Sequence, residues 1–342
     1  MNDNKNNPPM MDRLYRLLDP LHIDRHVLSL FILVGAALVV MSILNPGRFL
    51  STANFQSMAF LFPELALLSL AMMLTMLTGG IDLSIIGTAN LSGILAALIL
   101  TRLLPGNAGP GLTVIYILLA LVTAVACGAV CGSLNGWLIS RVKISPILAT
   151  LGTMQVFLGL ALVITRGRAI FGYPDAFLAL GNGSLIGVPI PFILFLIVAV
   201  LLAILVNRTV FGIHLRLLGT NPVAAVFSGI RVSSVLYRTY LVAGIIAGLT
   251  GILLIARTNS AKAGYGSSYL LQAILVAVLG GVSPAGGFGT VLGVSVAVLG
   301  LQFLASGFNM LQFSNFAKEF IWGAFLLLSM VINYLVNHRR NK

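Results

Sequence analysis

Two carboxylates stand within or beside long apolar runs of this sequence. Glu64 follows Pro63 inside a run, and Asp82 comes after a Gly-Gly pair between two runs. A charged side chain at membrane depth is costly unless it is paired, protonated or in contact with water. For Glu64 we expect either the wall of a polar pathway or a bond to a neighbouring helix. Asp82 is placed to cap the following helix or to take part in solute passage and gating.

Four further polar side chains are candidates for the same pathway. They are hydroxyl and amide groups in otherwise apolar surroundings: Ser84, Asn135, Thr150 and Thr153. Such groups can line a path for a polar solute, and they can equally bond to the backbone of their own helix. Both interpretations stay open at this point.

The sequence lacks the motifs of nucleotide-hydrolysing and zinc-dependent enzymes. No Lys follows a Gly, so the phosphate-binding loop of nucleotide hydrolases is absent, and there is no H-E-x-x-H zinc motif. Cys127 and Cys131 lie four apart in an apolar run without a neighbouring His, which favours packing over metal binding. We therefore predict that the chain is not an enzyme and binds no metal or cofactor. Active transport would then draw its energy from an ion gradient or from a partner that hydrolyses ATP.

The elements that hold these residues are those of a membrane protein. The sequence is 58% hydrophobic and 8% charged, whereas soluble domains carry about a quarter charged residues. Roughly 20 apolar residues cross the bilayer core as a helix. We predict an all-α polytopic membrane protein with about ten transmembrane helices, at 27–44, 55–78, 85–101, 112–140, 146–165, 191–206, 239–256, 270–282, 287–305 and 319–336. The eighth is short and bounded by Gly, which is typical of a half-helix or re-entrant element.

The basic residues orient these spans. With both termini cytoplasmic, 13 of the 20 Lys and Arg residues fall on the cytoplasmic side, as the positive-inside rule requires. Topology thus accounts for the net charge of +12 without nucleic acid. The predicted organisation is a cytoplasmic segment at 1–26 without a signal-peptide cleavage site, one transmembrane domain at 27–336 and a cytoplasmic tail at 337–342.

Glycines recur at helical spacing along several spans. Small residues four apart let helix backbones approach closely in lipid, and this spacing occurs at Gly128, Gly132 and Gly136, at Gly244 and Gly248, and at Gly289 and Gly293. An apolar run also leads into Gly79-Gly80 and Gly87-Thr88, and another leads into Gly280-Gly281 and Gly289-Thr290. The four-residue spacing predicts close helix packing. The similarity between the two glycine-containing segments indicates an internal repeat or a coincidence among many glycines.

The longest cytoplasmic loop, at about 207–238, contains signals for a short helix. Asn221 is a suitable cap, Pro222 suits the first helical position, and Gly229 can end the helix two turns later. A surface helix between Arg216 and Arg231 would form a docking site for a soluble subunit. The alternative is an ordinary loop that contains a helical turn.

This loop resembles the coupling segment of the ribose-type permeases of ATP-binding-cassette (ABC) importers. Their pattern, Thr-x-Phe-Gly and then Gly-x-Asn-x-x-Ala-Ala-x-x-Ser-Gly-Ile, is matched by Thr209, Phe211, Gly212, Gly219, Asn221, Ala224, Ala225, Ser228, Gly229 and Ile230. Three further matches lie in order along the chain: Gly79-Gly80-Ile81-Asp82-Leu83-Ser84, Asn135 with Pro146 and Ala149–Thr153, and Leu279–Gly281 with Gly286, Gly287 and Gly289. The departures are Ile86, Val226, Ala71, Met73 and Glu64, and they leave the substrate open.

The resemblance implies a bundle like that of type II ABC importers in a bacterial inner membrane. Two permease chains, identical or related, would form the pore, and two cytoplasmic ATPase subunits would bind ATP and magnesium. An extracytoplasmic binding protein would deliver a sugar or a similar small polar solute. The contact with the ATPase would be made by Gly219, Asn221, Pro222, Ala224, Ala225, Ser228 and Gly229. The alternative is a secondary transporter or channel that couples protons or cations through Glu64 and Asp82.

Overall fold

The computed structural model of the protein describes the backbone of residues 25–340 and the side chains of residues 28–331. Most of the predicted segment at 1–26 lies outside this range, and of the predicted tail at 337–342 only the backbone of 337–340 lies within it. Within it the chain is a helical bundle. In order, its helices are α1 (Arg25–Leu44), α2 (Thr52–Leu77), α3 (Ile85–Leu98), α4 (Pro110–Ser140), α5 (Pro146–Thr165), α6 (Asp175–Asn182), α7 (Ile190–Arg208), α8 (Val210–Thr220), α9 (Pro222–Phe227), α10 (Val232–Thr258), α11 (Tyr269–Leu279), α12 (Val291–Met310) and α13 (Asn315–Arg340).

Four two-residue strands complete the described secondary structure, and a π-helical turn at Ile99–Leu103 extends α3. The strands form two antiparallel pairs: β1 (Ile170–Phe171) with β4 (Ser260–Ala261), and β2 (Ser184–Leu185) with β3 (Val188–Pro189). These pairs lie in the connections after α5, α6 and α10.

Seven of the described helices are long and apolar enough to cross a bilayer: α2, α3 with its π-turn, α4, α5, α7, α10 and α12. They agree with seven of the predicted spans to within a few residues at most ends. The predicted first span is also helical, and its described apolar part covers Leu28–Leu44. The polytopic helical class is thereby confirmed, whereas the number of ten crossings stays a prediction.

The eighth predicted span, 270–282, is a half-helix by length. α11 has 11 residues, which at 1.5 Å per residue amounts to about 16 Å, roughly half of the bilayer core. Its first residue, Tyr269, reaches Glu64 in the middle of α2, and its C-terminal end contacts the start of α12. α11 therefore begins beside the middle of α2, and its burial starts at Ala273.

Two predicted boundaries are wrong by several residues. α10 begins at Val232 rather than at 239, because the helix continues past Arg238 beyond the apolar segment. α12 begins at Val291 rather than at 287, because Gly287 has a φ of +83° and the helix starts only after Thr290 caps Gly293. In both cases hydropathy marked the apolar stretch and not the helix.

α2, α3 and α10 form the buried centre, and α4, α5 and α7 surround it with exposed apolar faces. α4 and α10 make the most extensive contact in the bundle. There Gly128 faces Gly244 and Gly248, and Gly132 faces Tyr240 and Gly244. The predicted close packing at these glycines is confirmed.

The ends of α2 and α11 have the same backbone geometry. After α2, Gly79 and Gly80 donate their N–H groups to the Met76 and Thr75 carbonyls, and Gly79 has a φ of +78°. After α11, Gly281 and Val282 donate to the Val278 and Ala277 carbonyls, and Gly281 has a φ of +84°. Both are Schellman caps, in which a left-handed Gly closes the helix. The similarity in sequence between these two segments is therefore matched by a similarity in their backbone structure.

Candidate transport and coupling sites

Five of the six predicted pathway residues form one buried polar network. Ser84 donates its hydroxyl to Asp82 Oδ1 at 2.7 Å and accepts from Asn135 Nδ2 at 2.7 Å. Thr153 donates to Asn135 Oδ1 at 2.6 Å. Thr150 accepts the backbone N–H of Leu83 at 3.1 Å. All five side chains are buried, so the network ties the connection after α2 to α4 and α5.

Asp82 caps the start of α3 only indirectly. Its Oδ1 accepts the backbone N–H of Ser84 at 2.9 Å, one position ahead of the first helical residue, Ile85. Asp82 therefore forms a turn with Ser84 instead of accepting N–H groups of the first helical turn, as the predicted cap would. It lies between two spans, and burial raises the pKa of its carboxyl to about 6, although the hydrogen bonds from Ser84 lower it.

Substitution of Asn135 should lower the free energy of unfolding by less than the burial of this residue suggests. In Asn135→Leu the neighbours keep partners, since Ser84 still donates to Asp82 and Thr153 lies 3.2 Å from the Thr150 carbonyl oxygen. We expect a loss of about 1–2 kcal/mol in the free energy of unfolding in detergent. The double variant Asn135→Leu/Thr153→Val should cost less than the sum of the single changes, because both partners are removed together. Strictly additive losses would contradict a direct bond.

The sixth residue, Glu64, bonds to neighbouring elements. It is buried within α2, where both of its carboxylate oxygens accept from the Arg257 guanidinium of α10, through Nε and Nη2. Tyr269, the first residue of α11, donates to Glu64 Oε2 at 3.0 Å. A carboxylate held by a two-pronged guanidinium is poorly suited to act as a free proton carrier, which weighs against ion coupling through Glu64.

Arg257, Tyr269 and Tyr240 were missed by sequence reasoning. Arg257 falls just beyond the predicted span 239–256, and no local spacing links it with Glu64, 193 residues away. Tyr240 lies fully buried in α10 with its hydroxyl beside Gly80. Within the described range, no three His, Cys, Asp or Glu side chains come together in a way that could hold a metal ion.

The predicted coupling residues lie on two short helices joined at Asn221. Thr209 caps α8 through the N–H of Gly212, at 3.4 Å. Asn221 Oδ1 accepts the Ala224 N–H at 3.0 Å and caps α9, whose first residue is Pro222. Gly229 has a φ of +77° just after the end of α9. The predicted surface helix is therefore present with the expected cap and stop.

α9 presents an apolar surface outward. Ala225 is buried under the helix, whereas Val223, Val226 and Phe227 are exposed, with Phe227 at 87%. We call these three side chains the apolar knob. Gly219 at the end of α8 is buried against the last residue of α2. The segment thus joins an exposed contact surface to the bundle.

Comparison with known proteins identifies relatives across most of the chain. The ribose import permease protein RbsC of Bacillus subtilis (strain 168) is 37% identical over 308 residues, which cover 90% of this chain and 91% of that protein. The autoinducer 2 import system permease protein LsrD of Yersinia pestis (strain Pestoides F) is 31% identical over 316 residues, with coverage of 89% and 91%. No solved structure shows a significant match.

A family model gives the same result. The model for the branched-chain amino acid transport system / permease component matches residues 54–330, a range that includes the polar network, Glu64 with Arg257, and the coupling residues. Together with seven apolar helices of sufficient length, this match makes the chain a multi-pass protein of the inner membrane. The protein belongs to the branched-chain amino acid transport system / permease component family.

Proposed function

We propose that this chain is the membrane-spanning permease subunit of an ABC importer that moves a sugar or a similarly small polar solute into the cell. The observation that carries the proposal is the similarity over about nine-tenths of the chain to a ribose import permease and to an autoinducer 2 import permease. The chain is not itself an enzyme. ATP and magnesium would bind to partner ATPase subunits in the cytoplasm.

The partners follow from this assignment. A second permease chain, identical or related, would complete the pore, and an extracytoplasmic binding protein would deliver the solute. The proposed topology, with ten crossings and both termini in the cytoplasm, would put α8 and α9 on the cytoplasmic side, as the positive-inside rule favours. The exposed knob on α9 is a suitable surface for the ATPase, because apolar side chains in solvent-facing helices commonly mark protein contacts.

Transport would proceed by alternating access. ATP binding draws the two ATPase subunits together, the coupling segment moves with them, and the bundle changes the side toward which it opens. The polar network gives α4, α5 and the start of α3 fixed relative positions, because Asp82, Ser84, Asn135, Thr150 and Thr153 bond within it. We infer that these residues position the helices that border the path.

The ATPase contact can be tested on the knob itself. Changing Val223, Val226 and Phe227 together to Ser should weaken binding of the ATPase about 10- to 100-fold, as expected when an aromatic anchor is removed from an interface. Binding is measured by co-purification and titration with candidate ABC ATPase subunits. Ile186→Ser is the matched control, because Ile186 is also exposed and apolar but lies in the β2–β3 turn. Unchanged ATPase binding in the triple variant would overturn the assignment of the knob.

A further inference from the structure

At Gly219, in its last turn, α8 meets the bundle backbone to backbone. A Cβ added at Gly219 would overlap the carbonyl oxygen of Leu77 and the backbone nitrogen of Gly287. Gly287 donates its N–H to the same Leu77 oxygen at 2.9 Å. Because all these atoms belong to the main chain, no side-chain rotation can relieve such an overlap.

Gly286 closes this contact from the other side. It has a φ of +97°, and a Cβ there would lie 2.7 Å from the Gly219 oxygen and 2.9 Å from the Gly79 nitrogen. We call Gly79, Gly219, Gly286 and Gly287 the glycine junction. It brings the backbones of the coupling segment, the end of α2 and the loop after α11 into direct contact.

The connection Gly79–Ser84 leads from the junction to the polar network. The Thr150 hydroxyl of α5 accepts the Leu83 N–H at 3.1 Å and lies 3.1 Å from the Ile81 carbonyl oxygen. Ser84, at the other end of the connection, is bonded to Asn135 in α4. A displacement of the connection therefore acts on both α4 and α5.

Tyr240 lies beside the connection with a hydroxyl that is unpaired within the described part of the chain. Its side chain is fully buried with the hydroxyl against Gly80, and among the described residues the hydroxyl has no hydrogen-bond partner. Buried hydroxyl groups without a partner are costly and rare in native structures. Because the hydroxyl lies against Gly80, movement of the connection would change its surroundings.

We propose that the glycine junction and the connection Gly79–Ser84 form a relay that carries movement of the coupling segment to α4 and α5. The inference rests on the function proposed above. Close-packed backbone transmits a displacement that flexible side chains would absorb. A single methyl group at the junction should therefore separate ATP hydrolysis from the response of the bundle.

The experiment uses the permease in complex with its ATPase in lipid nanodiscs. A spin label is attached at Ile147→Cys, an exposed position of α5, in a background with Cys127→Ala and Cys131→Ala. ATP hydrolysis and the ATP-induced change of the label spectrum are measured together. In Gly286→Ala, whose new Cβ would meet the backbone of Gly219 and Gly79, we expect hydrolysis to persist and the spectral response to fall about tenfold. Gly152→Ala is the control, because a Cβ there meets no atom within 4 Å.

A second variant acts at the other end of the relay. Thr150→Val keeps the shape of the side chain but removes the bonds to the connection, and it should give the same separation, with Thr150→Ser restoring the response. If Gly286→Ala does not assemble, the Thr150 variants test the relay on their own. An unchanged response, or parallel loss of hydrolysis and response, would overturn the relay. If the unsubstituted complex itself neither binds the ATPase nor responds to ATP, the proposed function fails as well.

Discussion

Replacement of Arg257 by Met should destabilise the protein by about 3–5 kcal/mol, the usual cost of leaving one partner of a buried ion pair alone. Glu64 is only 1% exposed, and two of its three described bonds come from Arg257. The remaining Tyr269 hydroxyl cannot neutralise the carboxylate. The free energy of unfolding is measured by SDS titration of the purified permease in detergent micelles.

The second partner of the pair provides the decisive comparison. In Glu64→Gln/Arg257→Met no charge is left without its partner, so most of the lost stability should return. Arg168→Met is the matched control, because Arg168 is exposed and has no described ion pair. A loss below about 1 kcal/mol in Arg257→Met, or a double variant no more stable than the single one, would show that the pair carries little stability.

This ion pair marks the limit of what the sequence could predict. Because a buried carboxylate without a partner is costly, the sequence predicted a partner for Glu64 as one of two alternatives. Hydropathy and residue spacing could not identify that partner as Arg257. The pairing depends on how α10 and α11 meet α2, which is a property of the tertiary fold. Tyr269 was hidden for the same reason, since it bonds to Glu64 from the first position of a half-helix 205 residues away.

Local signals were more informative. The Asn-Pro start and Gly stop of α9 were readable because caps act within a few residues. The first residues of α10 and α12 could not be predicted in this way, because hydropathy reports only the apolar stretch. α10 extends beyond that stretch, and the glycine geometry before α12 delays its start. The glycines of α4 and α10 were predicted to pack closely, and their contact is the most extensive in the bundle.

A bulky residue at this contact should prevent the bundle from forming correctly. In Gly128→Val the new Cβ would lie 2.9 Å from the Gly248 Cα and 3.0 Å from the Gly248 nitrogen. Both are backbone atoms, so α4 and α10 must separate along their whole crossing. We expect a loss of about 3 kcal/mol or more, at the upper end of the range for overpacking, together with a large fall in the yield of monodisperse protein on size-exclusion chromatography.

Gly35→Val separates this steric effect from the general effect of Val in a helix. Gly35 lies in α1 with no atom within 4 Å of an added Cβ, so its substitution should change stability by less than about 0.5 kcal/mol, as for an exposed position. Gly128→Ala should fall between the two, because it adds the overlapping Cβ without the branches. If Gly128→Val and Gly35→Val were equally stable, α4 and α10 would not be held together by backbone contact, and another surface would have to join these two helices.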